Sequence, residues 1–473
     1  HGMSSSLKEC PTLSSSFSAL WISSSCKSGP CTMAVSRKIF ASKAFAKPYH
    51  LSKLYGTLHD AHAVILKIHT DNGIFGLGEA DPMVPFTKES PDDVMKVINE
   101  TIAPYLIGQD PARIAMLEAD LDRSVQGNLT ARGAVNMALY DIIGKAKNIA
   151  VYTLLGGLRH STLPLLFGVS SGTPDQDITT IEGQIDLGCR CFMLKMGTLP
   201  IADEIKRVAT VRKRFGDEIK IIVDANQGWE LVEAFEFVDG VCDCPPDLIE
   251  QPTGRKEIDC LKQIRDRSAC MLSADESVES ISDAATLIRE LSVDVFSIKV
   301  SKNGGLDKSK QIAQMADGFG LKCLMNSMLE FGISQAASLQ LGCTLPNLAD
   351  LGHAYGSVLR MSDDITDFNQ NISQGTVTVP TSAGLGVRVN EEKLKKYTKD
   401  YLKIDYLPKT NHNSATRHQG TKKTYILTLW LSAFVAELFL FKESDHDKTN
   451  PPSKICGFGN RKLGAGLCRR HHP

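Results

Sequence analysis

Lys195, Asp224, Glu250, Asp275 and Lys299 each close a short apolar run, and they follow one another at intervals of 29, 26, 25 and 24 residues. Carboxylates offer the hard oxygen donors that divalent cations prefer. A lysine ammonium moves protons when its surroundings bring its pKa into the working range. Three carboxylates flanked by two lysines therefore make a metal site with two candidate acid/base groups. One such carboxylate alone is more simply a cap or a surface ion pair; the regular spacing of all three is what points to a metal.

The interval matches one strand plus one helix. CFMLKMG (191–197), IKIIVDANQ (219–227), PDLIEQP (246–252), CMLSADES (270–277) and VDVFSIKVS (293–301) are short, apolar and bounded by turn residues, as strands buried on both faces are. Helical spacing fills the gaps, with Ile201, Ile205, Val208 and Val211 in one, and Leu287, Ile288 and Leu291 behind a Ser282 or Asp283 cap in another. LPLLFGVS (163–170) serves as an earlier strand, LKCLMNSM (321–328) as a later one and NLADLGHA (347–354) as the last. The fold class is thus α/β, a parallel barrel of about eight strands whose strand ends share one rim.

Ahead of the barrel, AVILKIHTDNGIFGLGEA (63–80) reads as a hairpin turning at Asp71-Asn72-Gly73. Helices containing Val94, Ile98 and Ile102, and then Ala131 to Lys147, complete an α+β unit that could cap the rim and exclude solvent. Hydrophobic residues make up 42% of the chain and charged residues 23%, with a formal net charge of −1, so nothing draws the protein to nucleic acid. The 13 cysteines are scattered; Cys189/Cys191 and Cys242/Cys244 read as buried or partly buried thiols rather than metal ligands, which fits a reducing compartment. Residues 3–33 carry eleven serines and one acidic residue, Glu9, so the expected location is cytoplasmic, or organellar if this stretch is a transit peptide. Tyr425–Phe441 is apolar but only 17 residues long, at the short limit for a membrane span, and is read as sequence outside the fold.

GLGEA (76–80), LLGG (154–157), KMG (195–197), VDAN (223–226), IEQP (249–252), SADES (273–277), IKVSKNGG (298–305), MLEFGIS (328–334) and AGLGVRVNEEKL (383–394) together resemble the mandelate racemase and muconate lactonizing branch of the enolase superfamily. The resemblance runs from about residue 35 to 400. It implies a modified TIM barrel, (β/α)7β, with an α+β capping domain built from both ends of the catalytic region. The chain then divides into an extension at 1–33, cap at 34–160, barrel at 161–358, the C-terminal part of the cap at 359–407 and a tail at 408–473. The resemblance also implies one Mg2+ or Mn2+ per active site, a small-molecule carboxylate substrate, proton transfer at the carbon next to that carboxylate, and a homo-oligomer. Asp224, Glu250 and Asp275 would be the metal ligands and Lys195 and Lys299 the catalytic lysines. Burial and the metal would lower the pKa of both lysines. Glu330, in MLEFG, stands where the family has an active-site acid. Asn226, on the same strand face as Asp224, and Glu276, beside Asp275, are secondary site residues.

One position departs from the family. Its second barrel strand usually reads Lys-x-Lys, and here Met193 replaces the first lysine, removing a cation from beside Lys195. Lys302 or His59 could supply the missing charge. The last strand, Asp350-Leu351-Gly352-His353, lacks the Asp-x-Asp that dipeptide epimerases use for a substrate amine. The expected reaction is therefore a muconate-type cycloisomerisation. The alternatives are a racemase or epimerase of N-acyl amino acids or dipeptides, and a non-catalytic relative that binds carboxylates or a partner.

Overall fold

The computed structural model describes residues 33–402. Strands β1 (Met33–His50), β2 (Thr57–Thr70) and β3 (Phe75–Ala80) form an antiparallel sheet. The β2–β3 hairpin turns where Asp71-Asn72-Gly73 predicts, pairing His69 with Phe75 and Val64 with Ala80. The helix Leu129–Lys147 lies directly on β3. A Cβ at Gly78 would fall 1.9 Å from the carbonyl oxygen of Ala134, so GLGEA has no room there for a side chain. Val64, Leu66 and Ile68 from β2 join Ile98, Leu117 and Leu139 in a core separate from that of the barrel.

A short strand β4 (Thr162–Pro164) precedes seven parallel strands: β5 (Leu166–Val169), β6 (Cys191–Lys195), β7 (Lys220–Asp224), β8 (Leu248–Glu250), β9 (Met271–Ala274), β10 (Val295–Ile298) and β11 (Lys322–Met325). They lie side by side in chain order, and each is followed by a helix. The stretch predicted as the last strand makes only two isolated parallel bridges, Cys323 to Leu348 and Leu165 to His353. Those two bridges join the first and last strands, so the sheet closes into the (β/α)7β modified TIM barrel with its cap. Strand β13 (Thr376–Thr378) pairs with β4 on one edge and with β12 (Ile372–Ser373) on the other, and β14 (Thr398–Leu402) returns to pair with β1.

Strand parity explains what reaches the rim. Leu166, Met193, Ile222, Leu248, Val295, Leu324 and Leu351 fill the barrel interior as one apolar layer. Because side chains alternate along a strand, the residue two further on points the same way. Two residues beyond Met193, Ile222 and Leu248 come Lys195, Asp224 and Glu250. The backbone aligns these three as direct neighbours, Lys195 with Asp224 and Asp224 with Glu250.

One helix starts earlier than predicted. Ser280, rather than Ser282 or Asp283, caps Ile281–Arg289, since its hydroxyl accepts from the Asp283 N–H while the Asp283 carboxylate accepts from the Ser280 N–H at 2.8 Å. That helix ends before Leu291, which is 60% exposed with φ +52° instead of buried. Among the described residues no helix is long and apolar enough to cross a membrane. The serine-rich start and the apolar stretch Tyr425–Phe441 lie outside the described residues.

Candidate active site

All five spaced residues meet at the C-terminal rim, each 8% exposed or less. The Lys195 ammonium donates to the Asp224 carboxylate and, at 3.1 Å, to Asn226 Oδ1. Opposite it, Lys299 Nζ lies 2.6 Å from Asp275 Oδ2. A third ammonium, Lys302, donates to Asp275 Oδ1 at 2.8 Å and to the carbonyl oxygens of Asp275 and Ser297. Glu250 pairs with no lysine among the described residues; it accepts from Asn326 Nδ2 at 2.7 Å and from Ser297 Oγ at 3.0 Å. Glu276 Oε1 accepts from Tyr55 at 3.0 Å and from Asn226 Nδ2 at 3.3 Å, tying the cap to the rim.

The electrostatics follow from this crowding. Burial and the negative charges of Asp224 and Asp275 push the Glu250 carboxyl well above its usual range. Burial opposes ionisation of Asp275 too, but Lys299 and Lys302 outweigh it and hold that carboxyl well below the normal value. Burial, Asp275 and Asp224 raise Glu276 to about 7. The expectation for the two lysines is reversed: burial lowers each pKa, but Asp224 beside Lys195 and Asp275 beside Lys299 raise both above the ordinary lysine value. A carboxylate in contact stabilises the ammonium more than burial penalises it.

The donor set suits a divalent cation. Asp224 and Glu250 end neighbouring strands and Asp275 follows the end of the next, so three carboxylates offer oxygen donors side by side, and their mutual repulsion is what bound positive charge would relieve. Among the described residues neither Asp275 Oδ2 nor Glu276 Oε2, both buried, accepts a hydrogen bond; the first has only its 2.6 Å approach to Lys299. Among the described residues no three such side chains converge on a point as they stand, because Lys195 and Lys299 occupy an oxygen of Asp224 and of Asp275. A metal there would compete with the lysines for the same oxygens.

The backbone after these strands is strained where it turns. Asn226, Gln227 and Gln251 have φ of +43°, +62° and +34°, conformations that non-glycine residues adopt at a cost and that recur at functional sites. Gln251 Oε1 accepts from the N–H groups of Asp275 and Ser277, at 2.9 and 3.1 Å, which fixes the loop carrying Asp275.

A cleft opens above this cluster, lined by Lys195, Lys299 and Asn226 from the barrel and by Tyr55, Met83 and Phe86 from the cap. Lys299 Nζ lies 4.2 Å from the centroid of the Phe86 ring, which shields the charge without neutralising it. Met193 is in the cleft wall, as strand parity predicts. Neither proposed substitute for its missing charge is there: Lys302 is spent on Asp275, and His59 lines a different cavity. Glu330 does not line the cleft either. Its carboxylate accepts from the Ser327 hydroxyl, the Met328 N–H and, at 2.8 Å, Gln335 Nε2, so it braces the loop that does. The residues missed from sequence are Lys302 as an Asp275 partner, Asn326, Tyr55, Phe86 and Arg360. Asn326 alone had a readable signal, two residues beyond the interior Leu324.

Residues 34–156 match the mandelate racemase / muconate lactonizing enzyme N-terminal domain and residues 179–393 match the enolase C-terminal domain-like family. The chain belongs to the mandelate racemase / muconate lactonizing enzyme family of the enolase superfamily. Within that family it is 30% identical over 360 residues to chloromuconate cycloisomerase CbnB of Cupriavidus necator, covering 75% of this chain and 95% of that one. It is also 30% identical to the L-Ala-D/L-Glu epimerase of Bacillus subtilis, over 70% of this chain and 90% of the relative. The N-succinyl Arg/Lys racemase structure from Bacillus cereus superposes with a TM-score of 0.76 at 27% identity, over 79% of this chain and 100% of that one. The protein is an isomerase of this family, and the family implies a divalent cation, typically Mg2+.

Proposed function

We propose that the protein is a muconate-type cycloisomerase. Asp224, Glu250 and Asp275 would hold one Mg2+, which supplies Lewis-acid stabilisation of the negative charge that develops beside the substrate carboxylate. Lys195 delivers the proton to the α-carbon, and Lys299, beneath Phe86, stabilises the enediolate from the other side. Asn226 and Glu276 orient Lys195 and Tyr55. Tyr55, Met83 and Phe86 close the cleft to water, which strengthens each of these interactions.

The observation that carries this reading is the character of the last barrel segment. Asp350 is exposed, Leu351 lies in the barrel interior and His353 is buried, so the segment offers the cleft no carboxylate for a substrate ammonium. The charged group that the chain beyond it brings to the cleft is a cation, Arg360. Two lysines facing the same cleft support racemisation or epimerisation of an N-acyl amino acid as the second reading.

Incubation with Mg2+ in D2O separates the two. The expected result is lactonization of cis,cis-muconate with one solvent deuteron in the product, and a loss of about 10²–10⁴ in rate for Lys195→Ala. Exchange and racemisation at the existing α-carbon of N-acyl amino acids, without lactonization of muconate, would overturn it. Isothermal titration with Mn2+ tests the ligand set, since unchanged binding by Asp224→Asn would remove that residue from it.

A further inference from the structure

Met193 leaves a gap in the charge of the cleft, and Arg360 stands against the neighbouring strand. Gly168 of β5 is the in-register partner of Met193. The Arg360 guanidinium donates from Nη2 to the Gly168 carbonyl at 2.6 Å. It lies over two aromatic rings, 4.1 Å from the Tyr49 centroid and 5.0 Å from that of Phe167. All four residues line the cleft.

Three observations make this a site rather than a surface arginine. First, Arg360 has no carboxylate partner among the described residues, whereas Lys195, Lys299 and Lys302 are all paired to carboxylates. It is therefore the cation of the cleft whose charge is left for a ligand. A guanidinium carries five N–H donors, and among the described residues it makes a single hydrogen bond to protein. Second, its position is fixed from both sides: beyond the bond to Gly168 of the barrel, Arg360 O accepts from the Ala46 N–H at 2.7 Å, and Ala46 and Tyr49 both belong to the cap strand β1. Third, the wall is cut to admit it. A Cβ on Gly168 would fall 2.6 Å from Arg360 Nη2 and 2.5 Å from the Tyr49 hydroxyl.

We infer that Arg360 is a specificity-determining residue, binding a second anionic group of the substrate beside the strand position where Met193 stands in place of the family's lysine. The substrate class is a small dianion with carboxylates at both ends. Arginine suits the role because its planar fork grips a carboxylate through two parallel bonds while its face stacks on aromatic rings. The inference rests on the proposed carboxylate site, which would hold the reacting end.

A matched pair of probes tests it, trans,trans-muconate and sorbate, which share a carbon skeleton and differ by one carboxylate in place of a methyl group. Affinities of the full chain are measured by calorimetry with saturating Mg2+. The wild type is expected to favour the dicarboxylate by about tenfold to a hundredfold, as a charged hydrogen-bonded pair warrants. Arg360→Met should bring that ratio near one while leaving sorbate affinity within about twofold, and Arg360→Lys should recover part of it. Gly168→Ala provides a second route, since its clashes are with the movable ends of two side chains, so it should keep the fold and displace the cation. A ratio that survives both Arg360→Met and Gly168→Ala, or an equal loss for both probes, overturns the inference while leaving the carboxylate site standing. Wild-type protein that binds neither probe overturns the site and the inference together.

Discussion

Lys302 holds the clearest quantitative test of how the rim is balanced. It is 3% exposed and makes three hydrogen bonds, of which the 2.8 Å bond to Asp275 Oδ1 joins two buried charges. Breaking a buried ion pair by deleting one partner typically costs about 3–5 kcal/mol. Asp275 keeps Lys299 at 2.6 Å, and a methionine fills most of the vacated volume, so Lys302→Met should lie at the low end, about 3 kcal/mol. That is roughly two orders of magnitude in the folding equilibrium. Urea denaturation of the metal-free protein measures it, with the m-value checked for constancy. Repeating the titration with saturating Mg2+ adds the decisive comparison. A cation at Asp224, Glu250 and Asp275 would replace the lost charge and should bind the variant more tightly than the wild type, so at saturation the penalty should shrink by about 1.4 kcal/mol for each tenfold gain in affinity. A penalty under about 1 kcal/mol, or one that Mg2+ leaves unchanged, would refute the claim that Lys302 and the metal balance the same carboxylate.

Two further outcomes follow from residues away from the rim. Asp81, held under the cap where its Oδ2 accepts from Ser334 Oγ at 2.7 Å, has its carboxyl raised to about 7 by burial, with Glu330 adding to the shift. The unfolded chain releases that proton near pH 4, so the folded state binds more protons between about pH 4 and 7 and stability falls as pH rises through that window. Asp81→Asn should flatten this slope in a series of denaturation curves, and an unchanged slope would assign it to other groups. Leu291, exposed at φ +52°, sits in a left-handed conformation that costs about 1–2 kcal/mol; Leu291→Gly should stabilise by about 0.5–1 kcal/mol net of glycine's entropy, and a lowered Tm would contradict this.

The barrel and its rim were legible because their cause is local and repeated. A period of two within each strand and one strand-helix unit between them place Lys195, Asp224 and Glu250 two residues beyond the interior Met193, Ile222 and Leu248. The closing segment 347–354 was legible as apolar chain but not as two isolated bridges, since bridge formation depends on how far the sheet curls. The cap on the helix at Ile281 lies two or three residues before the expected Ser282 or Asp283, because Ser280, Ser282 and Asp283 all carry side-chain oxygens suited to capping.

The sequence by itself determined which side chains reach the rim, because alternation and register act over neighbouring residues. Tertiary structure decided what each one touches there. Lys299 lies under Phe86 of the cap, Lys302 turns back onto Asp275, and Glu330, itself outside the cleft, braces the loop that lines it. Arg360 reaches Gly168 across 192 residues of chain. Such pairs depend on loop paths and on closure of the barrel and cap, and no local period encodes them. The methionine at position 193 is thus a fact of sequence, and the approach of Arg360 to the neighbouring strand is a fact of the fold.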